Sequence, residues 1–171
     1  VPENVLFVPT VDTAVFHPGP GDQKRSGSCF YAAKHRIVHG ATVTDEVRGS
    51  VEITFGYPAT QTEVAELFRR SELFYCYENT ALALEAALCG CPTVCIPNPH
   101  FTESIAVREL GRDGCAWGTD PAEIARAKAT VDRVRERYLR LCDDYWRQLD
   151  HFIRITQDRA HALCYRHPVR L

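Results

Sequence analysis

Methionine is absent from this sequence, even at the first position, and tryptophan occurs only twice in 171 residues. A chain without an initiator is expected to be a piece of a longer protein. No apolar run approaches the roughly 18 residues that a membrane span needs, and the N-terminus lacks the charged-then-apolar order of a secretory leader. A surplus of charge is also missing. Twenty Lys and Arg stand against 22 Asp and Glu, for a net charge of −2, so composition gives no ground for general affinity for nucleic acid. There are neither internal repeats nor low-complexity tracts.

Metal-ligand spacing is scarce despite eight cysteines. Cys29, Cys76, Cys89, Cys91, Cys95, Cys115, Cys142 and Cys164 lie mostly inside apolar runs or on Ala/Leu-rich helix, where a thiol acts as a small hydrophobe. Cys89-Gly90-Cys91 is the one close pair, and no second C-x₂-C or His-x₃₋₅-His pair completes a zinc site around it, although His35 and His39 have suitable spacing. Buried, reduced thiols are therefore expected, with no metal and a reducing, cytoplasmic compartment.

What is present is an ordinary globular composition, 45% apolar and 25% charged. A chain this long buries about two thirds of its unfolded surface, so one domain can stand without staples. The central stretch runs from Glu72 to Pro97. Leu73–Tyr77 reads as a buried strand, Glu78-Asn79-Thr80 as a polar break, and Ala81–Leu88 as a helix closed by Gly90. Pro92 then leads into a second apolar run, Thr93–Ile96. This is a βαβ unit.

Around it, Val5–Val8 predicts a short strand, and Pro9–Gly21 a Pro/Gly-rich connector. The prolines of His17–Asp22 remove the N–H donors a phosphate loop would need. Ser28–Ala32 and Val51–Phe55 are predicted strands, separated by a basic loop, Ala33–Gly40. Thr60–Arg70 predicts a helix capped by Thr60 or Thr62, with Val64, Leu67 and Phe68 on one stripe. A helix carrying Ile105, Val107 and Leu110 is predicted from Thr102 to Gly111, then a strand at Cys115–Gly118. Pro121 opens a helix running to about Leu149, with a bend near Asp150 and a further helix over Phe152–Cys164. Alternating strands and helices predict an α/β fold, a doubly wound and mostly parallel Rossmann-like sheet of five or six strands. The expected organisation is a strand and hinge over 1–21, a nucleotide-sugar-binding domain over 22–150 and a helical segment over 151–171.

The first-turn amides of Thr80, Ala81 and Leu82 lack intrahelical partners, and they face the strand end where α/β ligands bind. That surface serves equally as a helix cap made by Thr80 or Asn79 or as a phosphate seat. Glu85 lies on an otherwise apolar segment. It is either an exposed surface carboxylate or one placed to accept from a ribose diol.

The run Leu84-Glu85-Ala86-Ala87-Leu88-Cys89-Gly90-Cys91-Pro92-Thr93-Val94 resembles the L-E-A-x-x-x-G-x-P-V-V signature of GT-B-fold retaining glycosyltransferases, in their C-terminal, donor-binding half. Asp12–Pro18 is similar to that family's D-T-x-x-F-x-P hinge. Ala33–Gly40 has the length of its G-R-x-x-x-x-K-G loop, with Lys34 at the arginine and His39 at the lysine. Glu103 and Asp120–Ala125 (D-P-x-x-L-A in the family) complete a likeness over about residues 5 to 130. One spacing departs from the pattern. The family's glutamates are related as E-x₇-E, whereas six residues separate Glu78 from Glu85 and Tyr77 holds the seven-residue register.

The resemblance implies transfer of a sugar, with retention, from a UDP-, GDP- or dTDP-sugar to a saccharide acceptor, in polysaccharide biosynthesis and without a metal or other cofactor. Lys34, His39 and the Thr80, Ala81 and Leu82 amides would hold the diphosphate. Glu85 would hold the ribose, and Gly56-Tyr57-Pro58 the base. Glu78 would meet the donor sugar in the catalytic position, either in a shortened loop or with an altered contact. The acceptor site would belong to a missing N-terminal domain, so this half alone is expected to be inactive. The full enzyme would be cytoplasmic, without nucleic acid as a partner and compatible with peripheral membrane association. The alternatives are a non-catalytic α/β nucleotide-binding or interaction module, or half of a nucleotide-sugar epimerase.

Overall fold

The computed structural model describes residues 6–19, 21, 23–105 and 110–166, with side chains to residue 162. Five strands form one parallel sheet: β1 (Ser28–Tyr31), β2 (Val51–Ile53), β3 (Leu73–Cys76), β4 (Thr93–Cys95) and β5 (Cys115–Trp117). Their spatial order is β2-β1-β3-β4-β5. Registers place Cys29 beside Val51 and Phe74, Cys76 beside Cys95, and Val94 beside Ala116. β4 is buried at every position, as a central parallel strand covered on both faces should be. The sequence order reverses between β1 and β3, and this switch point fixes where a crevice opens at the carboxyl edge.

Helices cover the sheet. α1 (Ala33–Ile37) follows β1, α2 (Gln61–Arg70) precedes β3, α3 (Leu82–Leu88) joins β3 to β4, and α4 (Pro121–Thr130) follows β5. A last helix, α5, spans Asp132–Arg166. On one side Phe68 of α2 meets Phe74 of β3 edge to face, with centroids 5.1 Å apart. On the other, Phe30, Tyr77, Val94 and Ala116 pack with Ala127 of α4 and Val47 of a short 3₁₀ turn. The sheet is therefore doubly wound and Rossmann-like, as the alternation of strands and helices predicts.

Local chemistry explains the helix ends. Thr60 is the cap of α2: its Oγ1 accepts from the Glu63 amide at 3.2 Å while Glu63 Oε2 accepts from the Thr60 amide at 3.0 Å, a complete capping box. Asp120 Oδ1 accepts from the Ala122 amide at 2.8 Å, with Pro121 in the first turn of α4. α3 ends in a Schellman motif, the Cys91 amide reaching Ala86 O and the Gly90 amide Ala87 O, both at 2.9 Å. Gly90 has φ +74°, a conformation that glycine adopts without steric cost.

Several elements differ from expectation. The basic loop is helical over Ala33–Ile37, because a carboxylate satisfies its first-turn amides. β2 ends at Ile53, after which Thr54–Tyr57 form a turn closed by the Thr54 amide on Tyr57 O at 2.7 Å. α5 passes through Asp150 unbroken. No proline or glycine interrupts it, and pairs such as Arg154 with Asp150 at 3.3 Å brace that turn. Residues 6–8 adopt no strand, and residues 102–105 are loop and turn. Val5, part of the Pro18–Asp22 stretch, the helix core at 106–109 including Val107, and the Cys164 side chain lie outside the described residues.

Two compact units make up the chain. One is the sheet unit, Val11–Arg137. The other joins residues 6–10 to Tyr138 and the remainder of α5, and within it Phe7 meets Tyr138 edge to face at 6.1 Å.

Candidate functional site

At the switch point, the loop after β1 and the loop after β3 lie side by side. Tyr77 anchors the second loop. Its amide donates to Tyr31 O at 3.2 Å, and its hydroxyl is within 2.7 Å of Thr44 Oγ1 and accepts from the Thr44 amide at 3.1 Å. The position in the seven-residue register is thus a buried aromatic, 2% exposed. Glu78 comes next and turns toward α1. Its Oε2 accepts from the Lys34 amide at 2.7 Å and the His35 amide at 3.2 Å, and the residue is only 8% exposed. A carboxylate here does what an N-cap does: it satisfies two first-turn donors and complements the helix dipole.

His35 is buried beneath this contact. Its ring lies 4.9 Å from that of Tyr77, Nε2 is 3.1 Å from Thr42 O, and Nδ1 is buried with no hydrogen-bond partner. The Lys34 side chain is exposed, and its ammonium has no acidic partner among the described residues. His39 is exposed at the end of this segment and stacks face to face on His100, with centroids 3.7 Å apart. His35 and His39 therefore face different surroundings. Among the described residues, no three His, Cys, Asp or Glu side chains are gathered as metal ligands would be.

Across the crevice, Thr80 Oγ1 accepts from the Leu82 amide at 3.3 Å, a local turn leading into α3, whose N-cap position, Ala81, has no side-chain cap. The amides of Thr80 and Ala81 have no partner among the described residues. Glu85 is partly buried, and its carboxylate likewise makes no hydrogen bond or ion pair among the described residues. Desolvation pushes its carboxyl above the ordinary glutamate range. Gly56 and Tyr57 occupy the turn after β2, with Tyr57 half exposed. The fold thus brings Lys34, Glu78 and the start of α3 to one edge. His39 stands at the far end of the α1 segment, and Gly56 and Tyr57 beyond the neighbouring strand.

Three contributors have little signal in sequence. Asn79, legible only as a cap candidate, instead ties two loops: Nδ2 donates to Glu103 O at 3.1 Å and Oδ1 accepts from the Ile105 amide at 3.1 Å. Asn98 donates to Tyr77 O at 2.9 Å, holding the β4 loop against the β3 loop. Arg25, in the connector before β1, donates to Phe68 O at 2.9 Å, Ser71 O at 3.1 Å and Cys89 O at 2.7 Å. It thereby satisfies carbonyls at the ends of both α2 and α3. Asn followed by Pro at 98–99 hints at a turn, but no local pattern announces either the Asn79 or the Arg25 contacts.

Fold and edge together define a doubly wound, Rossmann-like α/β domain whose residues of mixed chemistry meet at its topological switch point. The chain matches no family model and no curated protein sequence. Among the described residues, no helix is long and apolar enough to cross a membrane.

Proposed function

We propose that this chain is the donor-binding domain of a retaining glycosyltransferase and holds a nucleoside-diphosphate sugar along the carboxyl edge of the sheet. The observation that carries the reading is Glu85. A partly buried carboxylate with no partner among the described residues, one turn into the helix beyond the switch point, is costly to keep unless a ligand completes it. A ribose diol supplies the two hydroxyl donors it lacks. The unpaired Thr80 and Ala81 amides and the Lys34 ammonium are of the right sign for a diphosphate, which they would stabilise as it departs. His39 is a further contact for the same group, and Tyr57 for the base. The sugar acceptor would be presented by another domain, in a cytoplasmic pathway that builds saccharides.

The test is titration of the chain with UDP and GDP, beside Glu85→Ala. Binding is expected, weakened about tenfold by the substitution, the loss of roughly one charge-assisted hydrogen bond. Equal binding by native chain and variant would falsify the ribose assignment.

A second reading, a nucleotide-binding module without turnover, is favoured by Glu78, whose Oε2 is already held by two backbone amides. Release of sugar from a labelled donor by the full-length protein separates the two. Formation of a new nucleotide sugar without an acceptor would instead identify an epimerase half.

A further inference from the structure

Beside α1, on the side away from β3, the surface holds a concavity of about 450 Å³, within the range of small-molecule pockets. Ala33, Arg36 and Ile37 of α1 line one side, and Glu52, Thr54 and Phe55 of β2 and its following turn line the other. Its rim is apolar and unusually open to solvent, with Ile37 72% and Phe55 80% exposed. Phe55 meets Tyr31 edge to face, with centroids 6.5 Å apart at 87°, and stands as an exposed aromatic ring at the mouth. Such a ring is a stacking platform for a planar heterocycle.

The polar groups in the concavity choose among heterocycles. Arg36 Nη1 donates to Glu52 Oε1 at 2.7 Å and Oε2 at 2.9 Å. A carboxylate has about four lone-pair positions, so acceptor capacity remains on both oxygens. Nε and Nη2 of Arg36 have no partner among the described residues. The pair therefore presents a donor beside two acceptors. The Watson–Crick edge of guanine offers the complement, the O6 acceptor beside the N1–H and N2–H donors. Uracil presents acceptor, donor, acceptor. Cytosine presents donor, acceptor, acceptor, and adenine donor, acceptor. Each of these sets a lone pair against the carboxylate or leaves a charged group unanswered.

We infer that the Arg36–Glu52 concavity is a guanine-reading subsite and that the donor is a GDP-sugar. This rests on the donor-binding reading above and deepens it by naming the nucleotide. Glu52 is the specificity-determining residue, Arg36 supports it and donates to O6, and Phe55 stacks on the base.

The experiment is calorimetric titration of the chain with GDP, UDP, CDP, ADP and GMP, repeated on Glu52→Gln, Phe55→Ala and Glu85→Ala. GDP is expected to bind more tightly than the other diphosphates by about five- to a hundredfold, the range for one bidentate base contact. Glu52→Gln offers one acceptor and one donor, the complement of uracil's N3–H and O2, so the preference for GDP over UDP should be lost, with GDP weakened and UDP strengthened. Phe55→Ala should weaken all bases alike. Equal affinity for the four diphosphates, with Glu85→Ala still weakening them, overturns the guanine assignment and leaves the donor reading standing. GMP binding that gains nothing from the second phosphate and ignores Glu85→Ala keeps the base subsite and removes the donor reading. A Glu52→Gln chain that retains the GDP preference overturns the role of Glu52, and absence of any nucleotide binding overturns both.

Discussion

Two glutamates seven positions apart in the chain meet opposite fates. Glu78 is satisfied by backbone: its Oε2 caps α1 through the Lys34 and His35 amides. Glu85 is not satisfied among the described residues, and burial raises its carboxyl above the usual range. The consequence for stability has a definite sign. Between the ordinary glutamate value and the raised one, the folded chain binds more protons than the unfolded chain, so stability falls as pH rises through that window. Above it, the cost of the desolvated charge is present in full. Glu85→Gln removes the titration, so the variant should gain stability relative to the native chain as pH rises from about 4 to 7. Urea unfolding midpoints across that range provide the check. A native–variant difference that does not change with pH would mean the carboxylate is not desolvated.

At the scale of elements, helix ends organise the molecule more than helix propensity does. α3 has only seven residues, too few to be stable alone. It is held by a Thr80 turn leading in at one end and a Schellman turn at the other, over which Arg25 reaches to Cys89 O. The same guanidinium takes two carbonyls at the end of α2, Phe68 O in its last turn and Ser71 O at its C-cap, so a single side chain closes two helices. Arg25→Ala should therefore destabilise the chain by about 2–3 kcal/mol, since charged donors are lost from carbonyls near the helix C-termini. Chemical denaturation measures this. Arg25→Lys, with no fork to span the three carbonyls, should recover only part of it. A loss below ~0.5 kcal/mol would show that water replaces the contacts. The α1 segment teaches the converse: a stretch with no apolar stripe and three basic residues becomes helical because a carboxylate 40-odd residues away supplies its cap.

At the largest scale, the Val11–Arg137 unit is built around a sheet whose interior is rich in thiols. Cys76 and Cys95 lie across β3 and β4 with sulfurs 3.6 Å apart, and Cys115 lies 3.5 Å from Cys95. All cysteines described are free, and Cys29, Cys76, Cys89, Cys91 and Cys95 are buried. Burial raises the Cys89 thiol to about 11, and the hydrogen bond to Cys29 together with burial drives Cys91 well up. These thiols should resist an aromatic disulfide reagent in the native state, as should Cys115, whose thiol is pushed up by its hydrogen bond to Cys95 and by burial, while the partly exposed Cys142 reacts first. Labelling followed by mass mapping should show the five buried cysteines modified only at the rate of unfolding. Rapid modification of Cys29 or Cys95 in the native chain would mean that the sheet opens locally.

The alternation of short apolar runs with helical stripes determined the α/β class, the βαβ unit, the Asp120–Pro121 helix start and the Gly90 stop. Each is written in neighbouring residues by period, cap or φ requirement. The sequence also narrowed the α2 cap to two threonines, and packing with Glu63 selected Thr60. What it could not determine depends on pairs distant along the chain. Only the tertiary fold decided that β1 lies between β2 and β3, placing the switch point beside Tyr77 and Glu78. It alone turned Glu78 onto the α1 amides, left the Glu85 carboxylate partly buried without a partner among the described residues, and set Arg36 against Glu52 in the concavity that Phe55 also lines. The physical reason is that periodicity reports which face of an element is buried, whereas a polar group's partner is chosen by strand order and crossover.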